Sequence, residues 1–286
     1  MGYDWSGRTF VITGGTRGIG AATARMAARS GANVVITGTD AAAGAQVAEE
    51  INSAGGATTF IRCDVRDGEQ VRYLMTRAAE LYGGIDVLHN NAGITDVSLS
   101  AEASLQDMSE QTWDNVIAIN LRAPWLCSKH ALPYLKASSR HPTIINTGSA
   151  ASVAAYPNCL AYGASKGGLT MLTKNLALDL AEYGIRVNAI SPSTTETEMV
   201  ARYMASAEDE QARRSEIVGS TLVSRLATTD EIANLVCFLA SDQALFVDGV
   251  DWLIDGGTYA WRGHKPPQLS EQRSTPAAQE EVRTRG

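Results

Sequence analysis

The sequence predicts an α/β chain: a single-domain, doubly wound parallel sheet of about seven strands flanked by helices. Three observations carry this. Short β-branched runs alternate with longer stretches of helical spacing; the strand runs, such as Val34-Val35-Ile36 and Ile144-Ile145, are apolar throughout, as burial on both faces requires; and no linker interrupts the rhythm before about residue 260. With 44% hydrophobic and 19% charged residues, the 286-residue chain has material for a sizeable core and too few charges for a disordered one.

In chain order, strands are expected at Thr9 to Thr13, Asn33 to Thr37, Thr58 to Arg62, Asp86 to Asn90, Thr143 to Thr147, Arg186 to Ile190 and Val250 to Ile254. Helices are expected between them at Ile19 to Ser30, Ala43 to Ala54, Gly68 to Tyr82, Ser109 to Ala137, Tyr162 to Tyr183 and Thr229 to Ala240. From Glu198 to Val223 a polar helical stretch follows a strand's carboxyl end, where a lid over a site is expected. The catalytic domain is thus read as residues 1–261. Beyond it, Arg262 to Gly286 is a polar tail with Pro266-Pro267, expected to be disordered or an arm laid on another subunit.

A net charge of −7 and the lack of a basic cluster argue against nucleic acid or an anionic membrane as partner. No apolar run approaches the length of a membrane span, and no signal-peptide pattern opens the chain, so a cytoplasmic location is expected. Cys63, Cys127, Cys159 and Cys237 form no Cys-x-x-Cys pair and read as free thiols, while the four histidines show no ligand spacing, so no metal is expected.

The first strand runs into Thr13-Gly14-Gly15-Thr16-Arg17-Gly18-Ile19-Gly20 and then an alanine-rich helix. Glycines there permit a tight turn and close backbone approach, and the helix N-terminus offers unpaired N–H groups to a pyrophosphate. This is a dinucleotide loop of Rossmann type. Tyr162 and Lys166 stand four residues apart, about one helical turn, with Ser149 thirteen residues before the tyrosine. An ammonium near a phenol favours the phenolate, and a serine hydroxyl could hold a carbonyl or alcohol oxygen against it. Such a trio moves protons on and off oxygen.

Together with Cys63-Asp64-Val65, Asn90-Asn91-Ala92-Gly93, Asn120 and Asn188-Ala189-Ile190-Ser191-Pro192, these residues resemble a classical short-chain dehydrogenase/reductase, from about Gly7 to Tyr259. The resemblance implies an NAD(P)-dependent oxidoreductase interconverting a ketone and a secondary alcohol, with Asn120, Ser149, Tyr162 and Lys166 as catalytic residues: Ser149 on the substrate oxygen, Tyr162 as general acid or base, Lys166 lowering the tyrosine pKa and binding the nicotinamide ribose, and Asn120 holding a water. It implies a cofactor site of Gly14, Thr16, Arg17, Gly18, Ile19, Gly20, Thr39, Asp64, Val65, Asn91, Ala92, Gly93, Tyr162, Lys166, Pro192, Thr195 and Thr197. In it Asp64 would bond the adenine amino group, Val65 cover the ring, Asn91 and Gly93 border the ribose, and Thr197 hold the carboxamide. Two departures from the family pattern, Ser193 for glycine and Thr195 for a branched aliphatic residue, fall near the nicotinamide.

The end of the second strand lacks a carboxylate at Gly38, and Arg17 suits a 2′-phosphate, so NADP is favoured over NAD, with Asp40 the residue that would reverse the choice. Thr95, Ala150, Ala151, Tyr156, Cys159 and the segment from Thr194 to Val223 are candidate walls of a substrate pocket for a neutral, moderately hydrophobic carbonyl or alcohol. A homotetramer, or a homodimer, is expected. A non-redox reaction on the same fold, or a silent NADP-binding regulator, is the alternative.

Overall fold

The structure, a computed structural model, describes residues 3–100, 103–205, 207 and 209–261; the expectation for the 262–286 tail lies outside them. Seven strands form one wholly parallel sheet: β1 (Thr9–Thr13), β2 (Asn33–Gly38), β3 (Ala57–Arg62), β4 (Val87–Asn90), β5 (Thr143–Thr147), β6 (Arg186–Pro192) and β7 (Asp251–Ile254), in the order β3-β2-β1-β4-β5-β6-β7. The order reverses between β1 and β4, and a crevice opens there at the strands' carboxyl ends.

Period-two alternation sorts the strand side chains into two cores. Ile12, Ile36, Ile145 and Ile190 face a layer built on α1 (Gly18–Arg29), α2 (Ala41–Ser53) and α9 (Thr229–Ala240). Val11, Val35, Leu88, Ile144 and Val187 face the layer of α3 (Gly68–Tyr82), α5 (Ala123–Ala137) and α6 (Leu160–Leu180). Caps set where the helices begin. Asp40 accepts the Ala43 N–H at the start of α2, Asp67 accepts those of Glu69 and Gln70 at α3, and Thr228 with Glu231 forms a capping box at α9.

One expected element differs. The helix expected from Ser109 to Ala137 is broken into α4 (Glu110–Ile117), a π-helical turn (Ala118–Arg122) and α5. Asn120 lies in that wide turn, with its side-chain amide clamped to the Ile94 backbone and to Ser165; such insertions concentrate at functional sites. The polar stretch after β6 folds as two short helices, α7 (Glu198–Ala205) and α8 (Glu210–Gly219). No helix among the described residues is long and apolar enough to cross a membrane.

Candidate active site

A cleft of about 710 Å³ opens over the carboxyl ends of β1, β2, β4, β5 and β6. Its floor at one end is the loop from β1 to α1. Gly14 there has φ +62°, and a Cβ on it would stand 2.8 Å from the Ala92 Cα; Gly18 has φ +54°. A side chain at Gly14 would therefore push apart the two loops that meet beneath the cleft. Arg17, the N-cap of α1, makes no side-chain cap, which leaves the first N–H groups of that helix without a side-chain partner at the cleft. A glycine cradle and an uncapped helix N-terminus fit the pyrophosphate of a dinucleotide.

Thr16, Arg17, Ile19, Thr39, Asp64, Val65, Asn91, Ala92, Gly93, Pro192, Thr195 and Thr197 line the same cleft, as do Thr95, Ala151, Tyr156, Cys159 and Thr194. Two of the residues expected to face the ligands do not line it. Gly20 is buried under the loop, where a Cβ would come within 2.4 Å of the Gly14 carbonyl oxygen, so it serves the packing of loop on helix. Asn120 is buried with both ends of its amide engaged: Oδ1 accepts the Ile94 N–H at 2.9 Å, while Nδ2 donates to the Ile94 oxygen at 2.8 Å and to Ser165 Oγ at 3.1 Å. Both Nδ2 hydrogens are thereby used and Oδ1 keeps one lone pair, and Asn120 ties the loop after β4 to α6.

Ser149, Tyr162 and Lys166 meet at the far end of the cleft. Ser149 follows β5 and caps a short 3₁₀ turn, accepting the Ala151 N–H at 3.1 Å. Tyr162 and Lys166 lie in the first two turns of α6. The Lys166 ammonium, 3% exposed, donates to the Thr147 carbonyl at 2.7 Å and lies 5.6 Å from the Tyr162 ring centroid. Burial pulls the lysine down to about 8, with the Asp251 carboxylate acting in the opposite direction. Burial also raises the Tyr162 phenol above its ordinary value, and hydrogen bonding from Ser149 opposes the rise. Desolvation is thus the largest influence on the phenol, and Ser149 is the neighbour that opposes it.

At the other end, Asp64 receives Arg66 through Nε at 3.0 Å and Nη2 at 2.6 Å, which holds its carboxyl below the usual carboxylate range. Asp40 gives one oxygen to the α2 cap and the other to Arg17 at 2.9 Å. The second nitrogen of Arg17 meets Glu198 at 2.9 Å, so this guanidinium bridges the start of α2 and the start of α7.

Two buried residues at the site, Asp96 and His89, were not singled out from the sequence, whereas Met199, Val200, Tyr203 and Ile217 of α7 and α8 line the cleft within the segment expected to wall the pocket. Their signal was present as apolar positions one turn apart within a polar stretch. Asp96, fully buried, accepts the Tyr162 N–H at 3.1 Å and fixes the first turn of α6; nothing local in the sequence marks it. His89, buried beneath the cleft with its pKa lowered to about 3 by desolvation, is neutral and bonds Thr147 Oγ1 at 2.9 Å.

Residues 14–259 match the family described as enoyl-(acyl carrier protein) reductase, and the chain belongs to the short-chain dehydrogenase/reductase family. It is 40% identical over 257 residues to the cis-4-hydroxycyclohexanecarboxylate dehydrogenase of Sinomonas cyclohexanicum, covering 90% of this chain and 98% of that one. It is 35% identical to 3beta-hydroxysteroid dehydrogenase 1 of Eggerthella lenta, covering 91% and 97%. Among solved structures, a short-chain dehydrogenase/reductase of the glucose/ribitol dehydrogenase type from Brucella melitensis superposes with a TM-score of 0.81 at 33% identity, covering 91% of this chain and 99% of that one. The protein is a short-chain, NAD(P)-dependent oxidoreductase.

Proposed function

We propose that the protein interconverts a neutral alicyclic secondary alcohol and its ketone, with Tyr162 as the proton donor and acceptor. The observation that carries this is the convergence of Ser149, Tyr162 and Lys166 on one wall of a cleft whose other end fits a dinucleotide. The nicotinamide, when bound, supplies or takes the hydride. Ser149 holds the substrate oxygen and favours the phenolate. Tyr162 gives its proton to that oxygen during reduction and recovers it during oxidation; a phenol held above its ordinary pKa is protonated at neutral pH and ready to donate. Lys166 keeps a positive charge beside the phenol and binds the nicotinamide ribose, and Asn120 positions Ile94 and α6.

Charge supports the substrate class. Among the described residues Arg17, Arg66 and Lys166 are the arginines and lysines that line the cleft, and Arg17 and Arg66 are already paired with carboxylates. A carboxylate substrate would be desolvated there without a partner. Two relatives named for ring-borne hydroxyl groups support an alicyclic skeleton; the first is named for a carboxylate as well, so the preference for a neutral substrate rests on the cleft's lining and not on that relative.

NADP is the cofactor we favour over NAD. Gly38 carries no carboxylate, and a Cβ there would stand 2.9 Å from Thr16 Cγ2. Asp40 has both oxygens committed, to the α2 cap and to Arg17, and Arg62 Nε approaches the Thr39 carbonyl at 3.3 Å, adding a second guanidinium near the expected 2′-position. A homotetramer in the cytoplasm completes the reading. Half-exposed Trp113 and Trp125 on α4 and α5, and Met171 and Leu178 on α6, offer apolar surface to other subunits, and the buried free thiols Cys63, Cys127 and Cys237 suit a reducing compartment. A panel of cyclic ketones and alcohols, read by nicotinamide absorbance with both cofactors, tests the proposal. Turnover of neutral cyclohexanones or 3-ketosteroids is expected, and no hydride transfer with any ketone would overturn it.

A further inference from the structure

We propose that Asp251 is a positioning residue that holds Ser149 in register with α6, acting through the hydroxyl of Ser191. Asp251 opens β7, the last strand, on the opposite side of β6 from Ser149. One of its oxygens accepts the Ser191 hydroxyl at 2.6 Å; the other accepts the Thr170 hydroxyl. Ser191, 1% exposed, in turn accepts the backbone N–H of Ser149 at 3.1 Å.

The direction of this chain matters. A serine hydroxyl has one hydrogen and two lone pairs. With its hydrogen drawn to the carboxylate, Ser191 has only lone pairs to present to the Ser149 N–H; without the carboxylate the rotor is free to turn. The packing leaves no slack for a substitute. A Cβ on Gly148 would lie 2.4 Å from Ser191 Oγ, and the Gly148 N–H is already bonded to the Ile190 oxygen at 2.7 Å.

The second oxygen of Asp251 reaches the other half of the site. Thr170 sits one helical turn after Lys166 on α6, and its hydroxyl also lies 3.3 Å from the Lys166 carbonyl oxygen. One carboxylate thereby references both the loop that carries Ser149 and the helix that carries Tyr162 and Lys166 to the same strand end. Proton transfer among aligned groups is sensitive to such spacing: a displacement of about 1 Å can cost on the order of 100-fold in rate. The negative charge of Asp251 also favours the ammonium form of buried Lys166.

The kinetic half of this inference rests on the oxidoreductase reading; its structural half does not. Backbone amide exchange across residues 148–151 is to be measured by mass spectrometry in the parent, Ser191→Ala, Asp251→Ala, Asp251→Asn and Thr170→Val proteins. Ser191→Ala and Asp251→Ala should each speed exchange in that segment by about 10-fold or more, while Asp251→Asn, whose amide oxygen can still accept the serine hydroxyl, stays near the parent. Thr170→Val, which breaks only the tie to α6, should leave the segment unchanged. In steady-state assays with saturating cofactor, Ser191→Ala should lower kcat by roughly 10-fold, the scale of one lost hydrogen bond to a charged group, with its cofactor Kd held within about twofold; Asp251→Ala, which also loses the tie to Thr170, should lower kcat at least as much, and the double variant should be no worse than Asp251→Ala alone.

Unchanged exchange in Asp251→Ala, equal acceleration by Thr170→Val, or losses that multiply in the double variant would overturn the inference. Because exchange needs neither substrate nor cofactor, it decides the anchor even in a protein that transfers no hydride, a result that would overturn only the proposed function.

Discussion

The Lys166 ammonium donates to the Thr147 carbonyl at 2.7 Å, so the charge nearest Tyr162 is held from β5, the strand that also delivers Ser149. Burial takes that lysine down to about 8 from its usual value near 10.5. The fold therefore disfavours the charge it keeps, and the cost should be visible as a pH dependence. Below pH 8 the lysine is protonated both folded and unfolded, and the full penalty applies. Between about 8 and 10.5 the unfolded chain holds the proton more often, so stability rises with pH until both states are neutral. Relative to Lys166→Met, which has no such titration, the parent should gain roughly 3 kcal/mol across that window. Urea denaturation of both proteins at several pH values measures it, and a parent-to-variant difference independent of pH would show that Lys166 is better solvated than its position implies.

Lys166→Ala should weaken the cofactor as well as slow the chemistry, since in the proposed reading one ammonium serves the ribose and the phenol. Fluorescence titration of cofactor into this variant and into Tyr162→Phe separates the roles, with weaker binding expected only in the lysine variant. Equal affinities would remove Lys166 from the ribose.

Arg17→Ala should weaken NADP more than NAD. A lost charge-assisted contact to the 2′-phosphate is worth about 1.5 to 3 kcal/mol, or roughly ten-fold to a hundred-fold in Kd. The same change releases Glu198 at the start of α7, an effect common to both cofactors, so the ratio of the two Kd values is the quantity to read. An unchanged ratio would turn attention to Asp40.

Gly20→Ala should damage the protein without touching a ligand. The added methyl would meet the Gly14 oxygen at 2.4 Å, where backbone must shift to admit it. Overpacking of this kind costs typically about 1–3 kcal/mol, and the displaced Gly14 should weaken either cofactor alike. Thermal melting with and without cofactor reads both effects; a variant that melts with the parent would mean the loop yields freely.

Sequence alone carried the sheet, its seven strands and the cleft-lining loops, because those features repeat at short range. Apolar strand runs, the glycines between β1 and α1, and the Tyr162-to-Lys166 spacing all fall within a few residues of one another. What stayed hidden was long-range. Asp96 finds Tyr162 66 positions away, and Asp251 finds Ser191 and Thr170 at 60 and 81, pairings that only the closed sheet creates. The break at Asn120 was hidden for the same reason, since its clamps are Ile94 and Ser165, 26 and 45 residues distant. The tyrosine's environment was likewise illegible: a neighbouring lysine can be read from spacing, but the desolvation that raises the phenol comes from the walls of the folded cleft.

Tyr162→Phe bears most directly on the central claim, because it removes one hydroxyl and keeps the ring. The measurement is transfer of deuterium from C4-deuterated nicotinamide cofactor to a cyclic ketone, followed by mass spectrometry of the alcohol in the parent and the variant. The parent is predicted to place deuterium on the carbinol carbon, and Tyr162→Phe to do so about 100-fold to 10,000-fold more slowly while binding cofactor as the parent does. Transfer by the variant within about threefold of the parent would contradict the assignment of Tyr162 as the proton donor.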